Sequence, residues 1–234
     1  MSINTVRQID DLVDVRNVLV SVSDKSGLDV LIPKLVKTIP AVRIFSTGGT
    51  YQAIRDILGE ASAERLVQVS AYTGQPEMQG GLVKTLDFKI YLGLLSETYN
   101  EEHQKDMART GAVPIDMVVV NLYPFQKTVE RPDATPESAR GNIDIGGPCM
   151  VRAAAKNFIR VASVTDPRDY VRILRELRRR KGRLSLDTRF RLAKKAFAHT
   201  AAYDRAISKY WRQCEVDQVR AVYEIRNPAE DHHV

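Results

Sequence analysis

The chain has 234 residues, 44% hydrophobic and 27% charged, with a formal net charge of +6. That suits a soluble globular protein with a sizeable core, either one large domain or one domain with a helical appendage. Two cysteines, Cys149 and Cys214, make neither a disulfide framework nor a metal quartet, and no stretch approaches the ~18 apolar residues of a membrane span.

In chain order the pattern alternates strand and helix, as in a mainly parallel sheet with helices on both faces. Val15 to Ser23 is the first apolar run, and Leu28 to Val36 is helix-like after it, with Pro33 expected to delay or bend that helix. Val42 to Ser46 is a second strand, followed by two glycines and a helix from Tyr51 to Leu58. A weaker strand spans Leu66 to Val69, and a loop carrying Gly74, Gly80 and Gly81 follows. Lys89 to Leu94 fits a short strand or a helix. Asp116 to Val120 is the cleanest buried strand and runs into Asn121-Leu122-Tyr123-Pro124-Phe125. Thr128 to Ser138, polar with two prolines, reads as a connection between two parts. Cys149 to Asn157 is an Ala-rich helix with Pro148 in its first turn, and Ile159 to Val164 is a further strand. Pro167 to Arg180 is a helix capped by Asp166, and Leu186 to Trp211 is long and helical. The expected division is an α/β core over 15–127, an α-rich extension over 128–212, and terminal segments 1–14 and 213–234. The basic run Arg178-Arg179-Arg180-Lys181-Gly182-Arg183 reads as a solvated helix end, where cations complement the helix dipole and glycine makes the turn. Without interleaved aromatics, nucleic-acid binding is disfavoured.

Two strand-to-helix junctions carry phosphate chemistry. Ser21-Val22-Ser23-Asp24-Lys25-Ser26-Gly27 and Ser46-Thr47-Gly48-Gly49-Thr50 both emerge at the carboxyl edge of a parallel sheet. Helix N-termini there point free N–H groups at a ligand, hydroxyls and glycine amides add donors, and Lys25 adds charge. Neither is a Walker loop, and no G-x-G-x-x-G appears at these turns. A third segment, Asp144 to Asn157, carries Cys149, Arg152 and Lys156 at one-face spacing. Lys156 stands roughly 12 Å along the axis from Pro148. The link from Asp144 to Pro148 spans about 13 Å if extended, so the carboxylate could fold back to the amine as a proton-transfer pair. A surface ion pair at a helix start is the commoner arrangement, and the segment alone does not choose.

Six ordered blocks are SVSDKSGL (Ser21–Leu28), STGGT (Ser46–Thr50), TGQPEMQGGLVKTL (Thr73–Leu86), NLYPF (Asn121–Phe125), IDIGGPCMVRAAAKN (Ile143–Asn157) and AFAHTAAYDRAIS (Ala196–Ser208). Together they resemble the inosine monophosphate (IMP) cyclohydrolase domain of the bifunctional purine-biosynthesis enzyme that also carries a formyltransferase. The resemblance implies a methylglyoxal-synthase-like fold with a helical extension completing the site. The activity it implies is closure of 5-formamidoimidazole-4-carboxamide ribotide to IMP with loss of water, without metal or other cofactor. Lys84, Tyr123, Asp144 and Lys156 match the family's catalytic group. The implied substrate-binding residues are Ser23, Asp24, Lys25, Thr47, Gly48, Gly49, Thr50, Val83, Thr85, Asn121 and Ile145, with the last two at the base. Lys156 steadied by Asp144 would serve the formyl oxygen, Tyr123 the oxyanion, and Lys84 the carboxamide side. A homodimer, a cytoplasmic location, a purine nucleotide ligand and a separate formyltransferase partner complete the expectation. His199 in the last block keeps a structural reading.

The departures fall in one loop. An expected arginine is Leu82, an expected His-Pro is Asp87-Phe88, and an expected His-Gly-Gly is Tyr91-Leu92-Gly93. A lost arginine removes a forked donor that leucine does not replace. Lys89 or Arg152 is the expected substitute cation. Two other readings stand beside the cyclohydrolase: a same-fold lyase acting on a small sugar phosphate, and a non-catalytic nucleotide-binding or scaffold subunit.

Overall fold

The computed structural model describes residues 5–76, 78 and 84–226. In chain order its strands and helices are β1 Leu12–Asp14, β2 Asn17–Val22, α1 Leu28–Thr38, β3 Arg43–Ser46, α2 Gly48–Leu58, α3 Ser62–Arg65, β4 Leu66–Gln68 and α4 Val69–Thr73. They continue as α5 Phe88–Leu95, α6 Glu101–Thr110, β5 Met117–Asn121, α7 Phe125–Val129, α8 Pro136–Gly141, α9 Gly146–Lys156 and β6 Ala162–Val164. After α10 Tyr170–Arg179 come β7 Arg183–Ser185, α11 Leu186–Gln213 and α12 Val216–Arg220.

Five strands form one parallel sheet in the order β4-β3-β2-β5-β6. Central strands β2 and β5 are almost wholly buried, which is why they read as continuous Val/Leu runs and not as alternating ones. Leu28, Leu31, Ile32 and Leu35 of α1 join Ile173, Leu174 and Leu177 of α10 in the core cluster over Val18, Val20 and Val119. Pro33 lies inside α1 on its exposed side, so the helix continues through it. On the other layer α5 packs against α6 and α9.

The chain divides into two compact units, Met1–Leu122 with Ile145–Thr200, and Tyr123–Asp144 with Ala201–Val234. The division therefore falls elsewhere than the expected boundary at 127/128, because β6 completes the main sheet and α9 packs on β5 and β6. Nor is the stretch before residue 15 only a terminal segment: β1 pairs antiparallel with β7, Leu12 opposite Ser185. The fully buried Arg189 secures that ribbon, its guanidinium donating to the carbonyls of Asp10, Asp11, Phe158, Ile159 and Leu184 at 2.6–3.0 Å. All five N–H donors are thereby engaged without a carboxylate. In the second unit, α7 and α8 reach into the two ends of the stretch expected to be a plain connection, and residues 130–135 between them carry no helix or strand. Thr135 and Ser138 form a capping box that starts α8, and α12 lies in a tail that showed no pattern in sequence.

Candidate functional site

Strand order places the functional edge. From β2 the chain moves outward through β3 and β4, then returns to add β5 and β6 on the opposite side. Successive crossovers diverge between β2 and β5, and a crevice at the carboxyl ends of strands is the favoured ligand position at such a point. The turn after β2 is held by its neighbour. Asn121, paired with Val22 across the sheet, accepts the N–H groups of Ser23 at 2.7 Å and Asp24 at 2.9 Å and donates to the Asp24 carbonyl at 2.8 Å. Its amide shapes the turn. The Asp24 carboxylate accepts the Ser26 N–H and hydroxyl at 2.9 and 2.6 Å. Lys25 is exposed between them. Gly27 closes the turn at φ +75, where a Cβ would also meet the Tyr170 ring at 3.2 Å, so glycine is required on both counts. Burial, and next the nearby Asp24 carboxylate, push the Tyr170 phenol up to about 12.

The turn after β3 carries the strongest geometry. Thr47 starts α2 in extended conformation without capping it through its side chain, and Gly48 follows at φ +53. A Cβ at Gly48 would lie 3.2 Å from Lys84 Nζ, and one at Gly49 would lie 3.9 Å from Lys25 Nζ. Two amines from distant parts of the chain thus converge on adjacent glycines at the N-terminus of an eleven-residue helix. Amides, dipole and two cations together suit a dianionic phosphate. Thr50 takes a different part from the one expected of its hydroxyl. Buried, it accepts the Val22 N–H at 3.1 Å and donates to the Val22 carbonyl at 3.0 Å, stitching α2 to β2. Only its backbone remains for a ligand.

Lys84 and Thr85 bridge two helix starts. Thr85 is buried, and its Oγ1 would lie 2.8 Å from a Cβ at Gly146, so only glycine admits this approach to α9. α9 begins at Gly146, two residues earlier than Pro148. Gly146 and Gly147 are therefore helical, and the extended link expected to carry Asp144 back toward Lys156 is not formed. Lys156 is exposed in the last turn, about 15 Å along the axis from the helix start. Ile145 is 59% exposed just before that start. Val83 lies outside the described residues.

Tyr123 and Asp144 belong to the second unit. Tyr123 is 53% exposed, and its carbonyl accepts the Phe125 N–H at 2.8 Å. The backbone N–H of Asp144 donates to the Tyr203 hydroxyl at 2.7 Å, and that hydroxyl donates to the Asn142 carbonyl at 3.3 Å. Phe125 packs edge-on against Tyr203 and Tyr210. One nearly buried phenol therefore fixes the backbone of Asp144 and packs against the residue two places after Tyr123. Burial raises its pKa, keeping it a neutral donor. Sequence reading missed Tyr203 although it stands in the AFAHTAAYDRAIS block, because at helical spacing it resembles core.

The altered loop has structural occupations. Buried Asp87 caps α5 by accepting the Lys89 N–H at 2.8 Å. Gly93 is kept because a Cβ there would lie 2.4 Å from the Val113 carbonyl oxygen. Of the two expected substitute cations, Lys89 Nζ donates to the Tyr72 carbonyl at 3.2 Å, and the exposed Arg152 guanidinium lies over the Phe197 ring at 5.9 Å. Among the described residues no group of three His, Cys, Asp or Glu is disposed to hold a metal, and no helix is long and apolar enough to cross a membrane.

The MGS-like domain family matches residues 30–149 and the AICARFT/IMPCHase bienzyme family residues 154–231. Similar curated proteins include the bifunctional purine biosynthesis protein PurH of Leptospira biflexa, 46% identical over 202 residues, 86% of this chain and 38% of that protein. PurH of Sorangium cellulosum is 49% identical over 196 residues, 84% of this chain and 36% of that protein. The chain thus spans under two-fifths of the length of these relatives. Among solved structures, the crystal structure of ForH superposes with a TM-score of 0.70 at 33% identity, covering 84% of this chain and 98% of that one. Fold, ordered motifs and relatives agree: the chain belongs to the MGS-like domain family and corresponds to the IMP cyclohydrolase domain of PurH-type proteins.

Proposed function

We propose that this protein is an enzyme of purine biosynthesis that closes 5-formamidoimidazole-4-carboxamide ribotide to IMP. The observation that carries this reading is the pair of amines, Lys25 and Lys84, standing at the Gly48–Gly49 start of α2. That cradle suits the ribotide phosphate, with Ser23 and Thr47 beside it and Thr85, next to Lys84 in the chain, packed against the start of α9. We assign Lys84, whose Nζ stands beside Gly48, to the phosphate end in place of the carboxamide side.

Chemistry then needs little beyond orientation. The carboxamide nitrogen attacks the formyl carbon within one molecule and loses one proton; the formyl oxygen takes up two protons and leaves as water as the formamide nitrogen gives up its proton and the ring C=N bond replaces the C–O bond. Holding the two groups in contact supplies much of the acceleration. The exposed Tyr123 phenol is a donor for the developing oxyanion. For the proton at the formyl oxygen we propose Lys156 and, as the resemblance implies, Asp144. Ile145 presents an apolar side chain to the base. Substrate of this kind comes from a formyl-transfer reaction, and we place such an enzyme and a second copy of this chain as partners.

A sugar-phosphate lyase would need a free carboxylate base near the phosphate turn, and Asp24 is engaged by Ser26. The deciding experiment offers purified protein the formylated ribotide and, separately, dihydroxyacetone phosphate. Absorbance change with the ribotide alone supports the cyclohydrolase. Turnover of the triose phosphate alone indicates the lyase, and no turnover of either indicates a binding module.

A further inference from the structure

Between α1 and α10, from the first turn of α10 to the last turns of both helices, lies a groove of about 690 Å³. Its walls carry Lys34 and Lys37 from α1 and Arg175, Arg178 and Lys181 from α10 and the turn after it, with no carboxylate in the lining. All five cations are exposed. Among the described residues none of them forms an ion pair, whereas Arg180, their neighbour in sequence, is paired with Glu176 at 3.3 Å. Helix-dipole complementarity accounts for cations in a last turn, as with Lys37 and Arg178. It does not account for Lys34 and Arg175, a turn earlier on the two facing helices. Lys181 adds a further sign: it is the non-glycine residue at positive φ (52) among those described. A lysine is thus kept in a left-handed turn where glycine or asparagine would be less strained.

The groove is not uniformly polar. Val171, 58% exposed, and the edge of the largely buried Leu174, 7% exposed, add a small apolar strip on the α10 side. No aromatic side chain lines it, so it lacks the stacking platform that single-stranded nucleic acid uses. Lys37, Arg178 and Lys181 stand at the helix C-terminal ends, where carbonyls and not N–H groups are free, which disfavours a dedicated site for a small phosphate there. Two basic rails and a small apolar strip match an amphipathic helix whose apolar edge is flanked by carboxylates.

We propose that the α1/α10 groove docks an acidic amphipathic helix of a partner protein. The site is separate from the phosphate turns and does not depend on the reaction assigned to them. The probe is a fluorescein-labelled helical peptide of about 18 residues, with leucines at i, i+3, i+4 and i+7 and glutamates flanking them. A second peptide of the same composition has its leucines scattered around the helix. Anisotropy with the full chain at about 0.15 M salt should show saturable binding of the first peptide, and at least about tenfold weaker binding of the second. Charge reversal at Arg175 and Arg178, or at Lys34 and Lys37, should weaken the first peptide about tenfold or more, with circular dichroism unchanged. Reversal at Lys105 and Arg109 on α6 should leave it unchanged, and Val171→Asp should weaken it although no cation is lost. Equal binding of the two peptides overturns the proposal, as does insensitivity to both groove reversals. Tighter binding of a deoxythymidine oligonucleotide with the same residue dependence replaces it with a nucleic-acid site. Absence of peptide binding to the folded protein also overturns it.

Discussion

Gly48 and Gly49 are adjacent and chemically identical, yet the structure assigns alanine opposite effects at the two positions. At Gly48 the backbone sits at φ +53 and a Cβ would press on Lys84 Nζ at 3.2 Å. The left-handed conformation costs a residue with a Cβ about 1–2 kcal/mol, while the amine, as the end of a flexible chain, yields by a few tenths of an ångström at little expense. At Gly49 the nearest atoms are Lys25 Cε and Nζ at 3.9 Å, an ordinary contact, and φ is not in the left-handed range. Alanine there restricts the unfolded chain and gains roughly 0.4–1 kcal/mol. Denaturant unfolding should therefore find Gly48→Ala about 1 kcal/mol less stable than the parent, a melting shift of about 2–4 °C for a chain of this size, and Gly49→Ala no less stable. Displacement of the Lys84 amine should also raise the Michaelis constant for the ribotide about tenfold in Gly48→Ala, with little change in kcat, the pattern of lost uniform binding. A Gly48→Ala variant as stable as the parent, or a Gly49→Ala variant less stable than it, would refute the turn geometry on which the phosphate cradle rests.

Three further outcomes are expected. Tyr203→Phe removes the acceptor of the Asp144 N–H and the donor to the Asn142 carbonyl; kcat should fall about tenfold at nearly constant Michaelis constant, with about 1–2 kcal/mol lost in urea unfolding, and unchanged kinetics would remove Tyr203 as a positioning residue. If Lys156 and Asp144 act on one proton, Lys156→Ala should lose most turnover while still binding IMP, and adding Asp144→Ala should cost little more; multiplying losses in the double variant would separate them. His199 has an enclosed Nε2 without a hydrogen-bond partner, and burial, helped by Lys195 and opposed by Asp166, holds its pKa below the usual value near 6.5. The unfolded chain then binds the proton more readily, so stability should fall as pH drops below about 6.5. His199→Gln should flatten that slope in urea midpoints, and an identical slope in parent and variant would contradict it.

What sequence could and could not show follows contact range. β2, β3, β5 and the Ala-rich helix were legible because buried parallel strands and breaker-free helices carry their signal within a few residues. Both phosphate turns were legible for the same reason. β1 was not: three residues with no periodicity become a strand only through pairing with β7 some 170 positions away. Lys84 was singled out by resemblance, but its meeting with Gly48 is a tertiary fact. The structural hydrogen bonds of Asn121 and Thr50 were not legible, because a polar side chain at a sheet edge serves a neighbouring turn as readily as a ligand. The extended link from Asp144 to Pro148 was misjudged because Gly146 and Gly147 entered the helix; glycine permits a pivot without requiring one.

The central claim is that the glycine turn and its two amines hold a phosphorylated ribotide for ring closure. Its most direct test is the ring-closure rate of the formylated ribotide against the same compound lacking its phosphate, with parent protein and with Lys25→Met/Lys84→Met. Binding energy from the remote phosphate is used at the reacting centre. The parent should therefore close the ribotide far above the spontaneous rate and the nucleoside slower by about a thousandfold or more, and the double variant should erase most of that gap. Equal rates for ribotide and nucleoside in the parent, or closure of the ribotide no faster than in buffer, would contradict the account.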